Sequence, residues 1–505
     1  MSIPQHSDAD RIQSDLTVLG RRLFCSDPDI ENLRTYYNAA KEAGKLYQAK
    51  QTLEALQKRH PGDHNIRSLF IAACLEQKEL PAAMEAIETL VAFSKPGDGL
   101  IESSLSVRNR IGPRGINQVN TNAPTLSVCM VVKNEQVTLG PCLNAVKSIA
   151  DEIIVVDTGS TDRTPDIAGI FGARVFSFDW KDDFSAARNY SLEKATGDWI
   201  LILDADEIIA REDLIHAKHA IQSCKNRPTA FSMETRNYTH VANAFGWQAN
   251  DGRYPLQEAG LGWFPSLKIR LFPRLPNINF SFPVHELVEP SVRAAGLQIV
   301  RSEIPIHHYG HLNESKNKRK ARAYFNIGYA KLDQLGNDYS ALRELAVQAG
   351  QLEHWPEASE LWHRLILIKP EFTEAYVNLA GISWQTKAYR QAIEFAQQAL
   401  QFDPLSKEAH YNMAISRLML GQADEAKAIL SRLMARDEGY LSAKFMQAVV
   451  GCILEDRSCE RDFKELSRSP AGPALKLAVQ DMIRRFQSAN LDCYAALLTQ
   501  SAVFL

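Results

Sequence analysis

The chain has 505 residues, 45% hydrophobic and 23% charged, an ordinary water-soluble globular composition with room for about three domains. Its 57 Lys and Arg nearly cancel its 60 Asp and Glu, and a net charge of −3 offers no electrostatic footprint for a nucleic-acid partner. Its 8 cysteines form no Cys-x-x-Cys pair, which argues against a zinc ribbon or disulfide framework and for reduced thiols in a cytoplasmic compartment.

No basic-then-apolar leader opens the sequence, and no window reaches about 18 uninterrupted apolar residues, so no transmembrane segment is expected. The short basic cluster Lys316, Lys318, Arg319 and Lys320 reads as the solvated start of a helix and leaves peripheral membrane contact open. Residues 30–61 carry Leu33, Ala40, Gly44, Ala49, Leu53, Leu56 and Pro61 at positions that suit either a degenerate helical repeat or a generic helical hairpin. A second such unit would run to Pro96. Residues 112–124 are rich in turn formers and read as a linker.

From Leu126 the pattern alternates. Strands are predicted over residues 126–132, 152–157, 173–178 and 199–203, with helices over 137–149, 163–171 and 185–195. That alternation is the mark of a parallel α/β sheet, whose ligands sit beyond the carboxyl ends of the strands. The polar strand exits are Lys133-Asn134-Glu135, Asp157-Thr-Gly-Ser-Thr-Asp162 and Asp204-Ala-Asp206. Asp204 and Asp206 leave a strand through a turn, so their carboxylates can converge on a hard divalent cation, Mg²⁺ or Mn²⁺; helix capping is the plainer role for such a pair. The aromatic residues Tyr238, Phe245, Trp247, Tyr254, Trp263 and Phe264 read as a subdomain core rather than as sugar-stacking rings.

The last third repeats. Pro370 and Pro404 lie 34 residues apart, and Ala358, Ala392 and Ala426 keep the same step, the tetratricopeptide period of paired antiparallel helices. Three units fit residues 339–438, with Gly421 in an inter-helix turn and an off-consensus helical cap beyond.

The order Val-Val-Lys-Asn-Glu, Val-Val-Asp-Thr-Gly-Ser-Thr-Asp, Asp-Phe-Ser-Ala-Ala-Arg-Asn, Gly-Asp-Trp-Ile-Leu-Ile-Leu-Asp-Ala-Asp-Glu resembles the family-2 glycosyltransferases. The likeness is close over residues 126–209 and looser to about 312. It implies an α/β GT-A domain (Rossmann-like, mostly parallel sheet), here flanked by all-α tetratricopeptide-type helical regions: residues 1–118 helical, 119–315 GT-A, 316–505 repeats and cap. It also implies a nucleotide-diphosphate sugar donor, commonly UDP-linked, with Lys133, Asn134, Glu135, Asp157, Asp162, Arg188, Asn189 and Asp204 around the donor. Asp204 and Asp206 would hold the metal. Arg188 would meet a phosphate or else bridge Asp182 and Asp183.

Further on, Lys268-Ile-Arg-Leu-Phe-Pro-Arg274 and Phe282-Pro-Val-His-Glu286 resemble elements of a subset of that family. Inversion at C1 needs a base in line with the acceptor; Glu286 is the first candidate and His285 the second, the alternative being a structural acid paired with Arg270 or Arg274. Residues 306–310 resemble a late His-containing element, which makes His308 a candidate metal ligand ahead of His307 and His311. The resulting expectation is a metal-dependent inverting glycosyltransferase acting on a protein or peptide acceptor held by the repeats. The alternatives are a transferase of lipopolysaccharide or surface polysaccharide and a non-catalytic scaffold.

Overall fold

The computed structural model describes residues 29–114, 123–224, 228–239, 248–260, 262–283, 286–312, 339–456, 458–468 and 472–501, with isolated residues 16, 18–20, 23, 325 and 329. They fall into two compact units, one of residues up to 232 together with 269–301, the other of 233–268 together with 302 onward.

From Asp29 the described residues of the first unit form five helices, α1 (Ile30–Glu42), α2 (Leu46–Arg59), α3 (His64–Glu76), α4 (Leu80–Phe93) and α5 (Asp98–Ile111). There follow β1 (Leu126–Val132), α6 (Leu139–Val146), β2 (Glu152–Asp157), α7 (Thr164–Ile170), β3 (Arg174–Ser177), α8 (Phe184–Lys194), β4 (Trp199–Ile202), β5 (Glu207–Ile208) and α9 (Arg211–Ser223). The predicted strands and helices of this stretch all form, within one to three residues of their expected ends. The unit also takes the first part of β6 (Thr229–Thr239), the last part of β8 (Gly262–Pro273), α10 (Glu289–Ala294) and β9 (Gln298–Arg301).

Its strands lie in the order β3-β2-β1-β4-β8-β6, with β9 beside β6. β1 runs parallel to β2 and β4, β2 to β3 and β6 to β9, whereas β4 and β8 are antiparallel. Every residue of β2 is buried, as expected for a strand covered on both faces. Cys129, Ile154, Val156, Ile200, Ile202 and Phe272 face one layer of the core with Ala187 of α8 and Val292 of α10. Because the order runs outward from β1 in both directions, the exits of β1, β2 and β4 lie side by side.

The N-terminal helices pack directly onto this sheet's helices, α4 on α6 and α5 on α7. A Cβ on Gly140 of α6 would come within 3.1 Å of the Ala92 Cα, so a side chain there would push α4 away. Glu88 of α4, 1% exposed, lies at the centre of this contact. It pairs with Arg108 of α5 at 2.5 Å, Lys147 after α6 at 2.9 Å and Arg114 at 3.0 Å. Arg114 Nε also donates to Phe171 O, and its amide to Gly172 O, so the start of the expected linker is anchored to the end of α7. Residues 115–122 of that linker lie outside the described residues.

The second unit contains β7 (Gln248–Ala249), antiparallel to β8, and β10 (Ile306–His308), parallel to β6. Among the described residues from 339 onward there are ten helices: α11 (Tyr339–Gln351), α12 (Trp355–Ile368), α13 (Thr373–Gln385), α14 (Tyr389–Phe402), α15 (Lys407–Met419), α16 (Ala423–Met434), α17 (Leu441–Ile453), α18 (Ser458–Ser467), α19 (Gly472–Ser488) and α20 (Asp492–Ser501). Ala358, Ala392 and Ala426 are each fully buried, as the close approach of paired helices demands.

The backbone shows more repetition than the side chains do. Left-handed residues end the first helix of successive pairs at Glu353, Lys387, Gly421 and Glu455, each 34 residues after the last. At every one the next amide bonds back to the carbonyl five residues earlier, as in Ala388 N to Ser383 O and Asp456 N to Gly451 O. This is the Schellman closure, favoured by Gly but accepted here by Glu and Lys at some cost in backbone strain. Asn490 repeats it once more, so α17–α20 continue the helical-pair geometry through the region read as a cap. Gly44 and Lys78, again 34 residues apart, close α1 and α3 in the same way. That geometry favours the degenerate-repeat reading of the N-terminal helices.

Candidate active site

The first unit brings three stretches of sequence together around Arg188. This residue lies on α8, is 8% exposed, and donates from Nε to Glu286 Oε1 at 2.6 Å and from Nη2 to Asp204 Oδ1 at 2.9 Å. Burial acts to lower the pKa of its guanidinium, but the two carboxylates outweigh burial and hold it above the usual range. The alternative bridge to Asp182 or Asp183 does not form. Asp182 accepts from Trp180 Nε1 and Asp183 caps α8 through Ala186 N, both at 2.9 Å; both precede the helix. The alternative partners of Glu286 are engaged elsewhere too, Arg270 with Glu207 at 2.6 Å and Arg274 with Gly197 O at 2.7 Å.

Asp204 to Glu207 form a tight turn at the exit of β4. The Glu207 amide donates to Asp204 O at 3.0 Å, and the Asp204 amide to Glu207 Oε2 at 2.9 Å. Glu207, which sequence reasoning passed over, is 1% exposed and tied to Arg270 of β8, itself 3.9 Å from Asp204. Its position directly after Asp206 was the available signal. The turn presents Asp204 half-exposed and Asp206 nearly buried. Burial, followed by the charges of Glu207, Asp206 and Asp204, pushes the Cys142 thiol well above its ordinary range.

Among the described residues no three His, Cys, Asp or Glu side chains group as a self-sufficient metal cage. The residues nonetheless suit a hard cation. Asp204 and Asp206 offer hard oxygen donors at the exit of β4, and Arg188 and Arg270 stand against Asp204, Glu207 and Glu286.

The other strand exits are locked to each other. Asp157 is buried and accepts from the Gly159 and Ser160 amides at 3.2 and 3.0 Å and from the Ser160 hydroxyl. Asn134, at φ +55°, accepts from the Thr161 amide at 2.8 Å, and its own amide donates to Ser160 Oγ. Asp162 accepts from the Thr164 and Gln136 amides. Glu135 is buried, accepting from Thr138 Oγ1 at 2.7 Å, and Lys133 is exposed at the rim. Asn189 binds both backbone groups of Phe280, at 3.0 and 2.7 Å.

His308 lies in the second unit, its Nδ1 2.7 Å from Asn237 Oδ1. Asn237 Nδ2 donates to Phe264 O at 2.9 Å and Ser266 Oγ at 3.1 Å, so its oxygen faces the imidazole and the Nδ1 of His308 carries the proton. His307 is fully buried, 2.8 Å from the Tyr238 hydroxyl and stacked on that ring. Arg236 sits over Tyr254 and Trp263 at 5.1 and 4.5 Å, which makes these aromatics a packed core, as read. His285, Phe245, Trp247 and residues 316–320 lie outside the described residues, as does the His311 side chain.

Burial, reinforced by Arg236 and opposed by Asp251, pushes the His307 pKa down to about 4. Between that value and the unfolded 6.5, only the unfolded chain takes up the proton. The second unit should therefore be fully stable above pH 6.5 and lose about 3 kcal/mol as pH falls to 4, with no further loss from this group below. Denaturation midpoints at pH 7 and 4.5, compared with those of His307→Gln, test this; equal pH dependence in both proteins would refute it.

Residues 127–264 match the family model for glycosyl transferase family 2, and residues 383–444 match a tetratricopeptide repeat model. The chain joins a family-2 glycosyltransferase domain to tetratricopeptide repeats. It is 38% identical over 248 residues to a TPR repeat-containing protein of Synechococcus elongatus, covering 47% of this chain and 55% of that one. It is 30% identical over 209 residues to the SPbeta prophage-derived glycosyltransferase SunS of Bacillus subtilis, covering 41% and 44%. The chain thus spans about half the length of these curated relatives. A solved tetratricopeptide repeat protein from Parabacteroides merdae overlaps 38% of this chain and 75% of its own at 18% identity, with a TM-score of 0.30. The family-2 match runs from the second residue of β1 through β5 and includes the Asp204 turn and Arg188, while Glu286 lies beyond it. No helix among the described residues is long and apolar enough to cross a membrane.

Proposed function

We propose that residues 119–315 form an inverting, metal-dependent glycosyltransferase domain that moves a sugar from a nucleotide diphosphate, UDP in the first instance, to a protein or peptide acceptor recruited by the repeats. The observation that carries this reading is the bridge of Arg188 between Asp204, at the exit of β4, and Glu286. It ties a donor-side carboxylate to the acid best placed to serve the acceptor. Likeness to a protein named as a glycosyltransferase supports it.

In this mechanism an acceptor hydroxyl or thiol attacks C1 from the face opposite the diphosphate. Glu286 takes its proton, and the bond from C1 to the diphosphate oxygen breaks with its electron pair. Arg188 keeps the base and the Asp204 turn in fixed register. Asp204 and Asp206 would hold a divalent cation, which when bound neutralises charge on the leaving diphosphate. The locked Asp157 and Asn134 loops form the rigid wall on which a nucleoside would rest.

Screening UDP-sugars for slow hydrolysis, with Mn²⁺ or Mg²⁺ and after chelation, tests the reading. Full turnover in EDTA would remove the metal from it. Asp206→Ala should weaken Mn²⁺ binding, read by calorimetry on the full chain, by at least about tenfold, roughly 1.4 kcal/mol. Unchanged binding would assign the cation elsewhere. Because Asp206 sits at a strand exit, the substitution should move thermal stability little.

A further inference from the structure

The segment that carries Glu286 is attached to α8 at four points along one helix face. The Phe184 amide donates to Pro283 O at 2.8 Å, and the Ser185 hydroxyl donates to Phe282 O. Arg188 Nε donates to Glu286, and Asn189 accepts from the Phe280 amide while donating to Phe280 O. Positions 184, 185, 188 and 189 share that face by helical periodicity. A two-bond bridge between Ser281 and Leu287, at 2.9 and 3.0 Å, closes the base of the same turn. Next to Ser281, Phe282 has φ +76°, a conformation that a bulky residue holds only when its surroundings impose it. The Ser185 and Phe184 bonds hold the two carbonyls that follow it, those of Phe282 and Pro283.

We propose that Ser185 and Asn189 are positioning residues, holding the backbone at Phe280 and Phe282 so that the Glu286 carboxylate is held on Arg188 where it serves the acceptor. This rests on the reading of Glu286 as the base. It replaces donor contact as the role of Asn189, whose amide is already committed to Phe280. Ser185 is 5% exposed, so its hydroxyl serves the turn rather than solvent.

The test uses the full chain and UDP release from whichever of UDP-glucose, UDP-galactose or UDP-N-acetylglucosamine it hydrolyses. Ser185→Ala and Asn189→Ala should each lower kcat by up to about 10²-fold, the scale of a base misplaced by about 1 Å. Donor affinity should stay within about twofold, because only the turn moves. Ser185→Thr keeps the hydroxyl and should restore kcat. In a Glu286→Gln background neither alanine substitution should lower the rate further. Additive losses in that background, or parallel loss of donor affinity and rate, would overturn the positioning role while leaving the base intact. If Glu286→Gln alone leaves kcat unchanged, the base assignment falls, and the positioning role with it. Should Asn189→Ala not fold, the Ser185 pair decides the matter, since it removes one hydroxyl only.

Discussion

Replacing Glu286 by Gln should lower sugar transfer by about 10²–10⁴-fold while donor affinity stays near that of the unaltered protein. The amide keeps the shape of the carboxylate, and its oxygen can still accept the Arg188 Nε–H, so the attachment to α8 should hold. What it loses is the capacity to take the acceptor's proton. The comparison to make is kcat, donor dissociation constant and melting temperature on the same preparations. A fall in all three together would make Glu286 a structural acid, one whose work is to neutralise a buried guanidinium. A fall in kcat alone identifies the base.

A change far from that site should have the largest effect on the fold. Glu88→Ala removes the single carboxylate that faces Arg108, Arg114 and Lys147 and leaves three cations against one another. Breaking a buried pair by deleting one partner costs about 3–5 kcal/mol, chiefly the penalty of the charge left behind. Arg108 is buried and cannot turn to water without abandoning its bond to Ile170 O. The first unit should therefore loosen where α4 and α5 meet α6 and α7. Amide hydrogen exchange is the suitable measurement, because a chain of this size need not unfold as one cooperative whole. Protection should fall in α4 and α5 while the tetratricopeptide helices of the second unit are unaffected. Unchanged protection in α4 would mean the N-terminal helices are held by apolar packing alone.

Much of this could be read beforehand because it depends on short-range periodicity. Strands β1, β2 and β4 announced themselves as apolar runs with polar exits, and burial on both faces leaves such runs little alternative. The Ala358, Ala392, Ala426 step marked the repeat because helix pairs that touch closely exclude larger side chains. The N-terminal units and the last helical pairs were harder to read. Their repetition resides in a left-handed turn that Gly, Lys, Glu and Asn can all occupy, so no residue type marks it.

The partners of the site's charges were not legible at all. Arg188 could be singled out by its place in a motif, yet the sequence left phosphate, Asp182 and Asp183 equally open as its counterpart. The structure gives Asp204 and Glu286, which are 16 and 98 residues away. Likewise Glu207 and Arg270 pair across 63 residues, and Asn189 reaches Phe280 across 91. What the sequence by itself determined is therefore which residues can do chemistry and which strand ends carry them, because side-chain type and alternation are local properties. Only the tertiary structure decided which charges neutralise which, since a buried ion is placed by whatever counter-charge the packing of distant segments brings within about 3 Å.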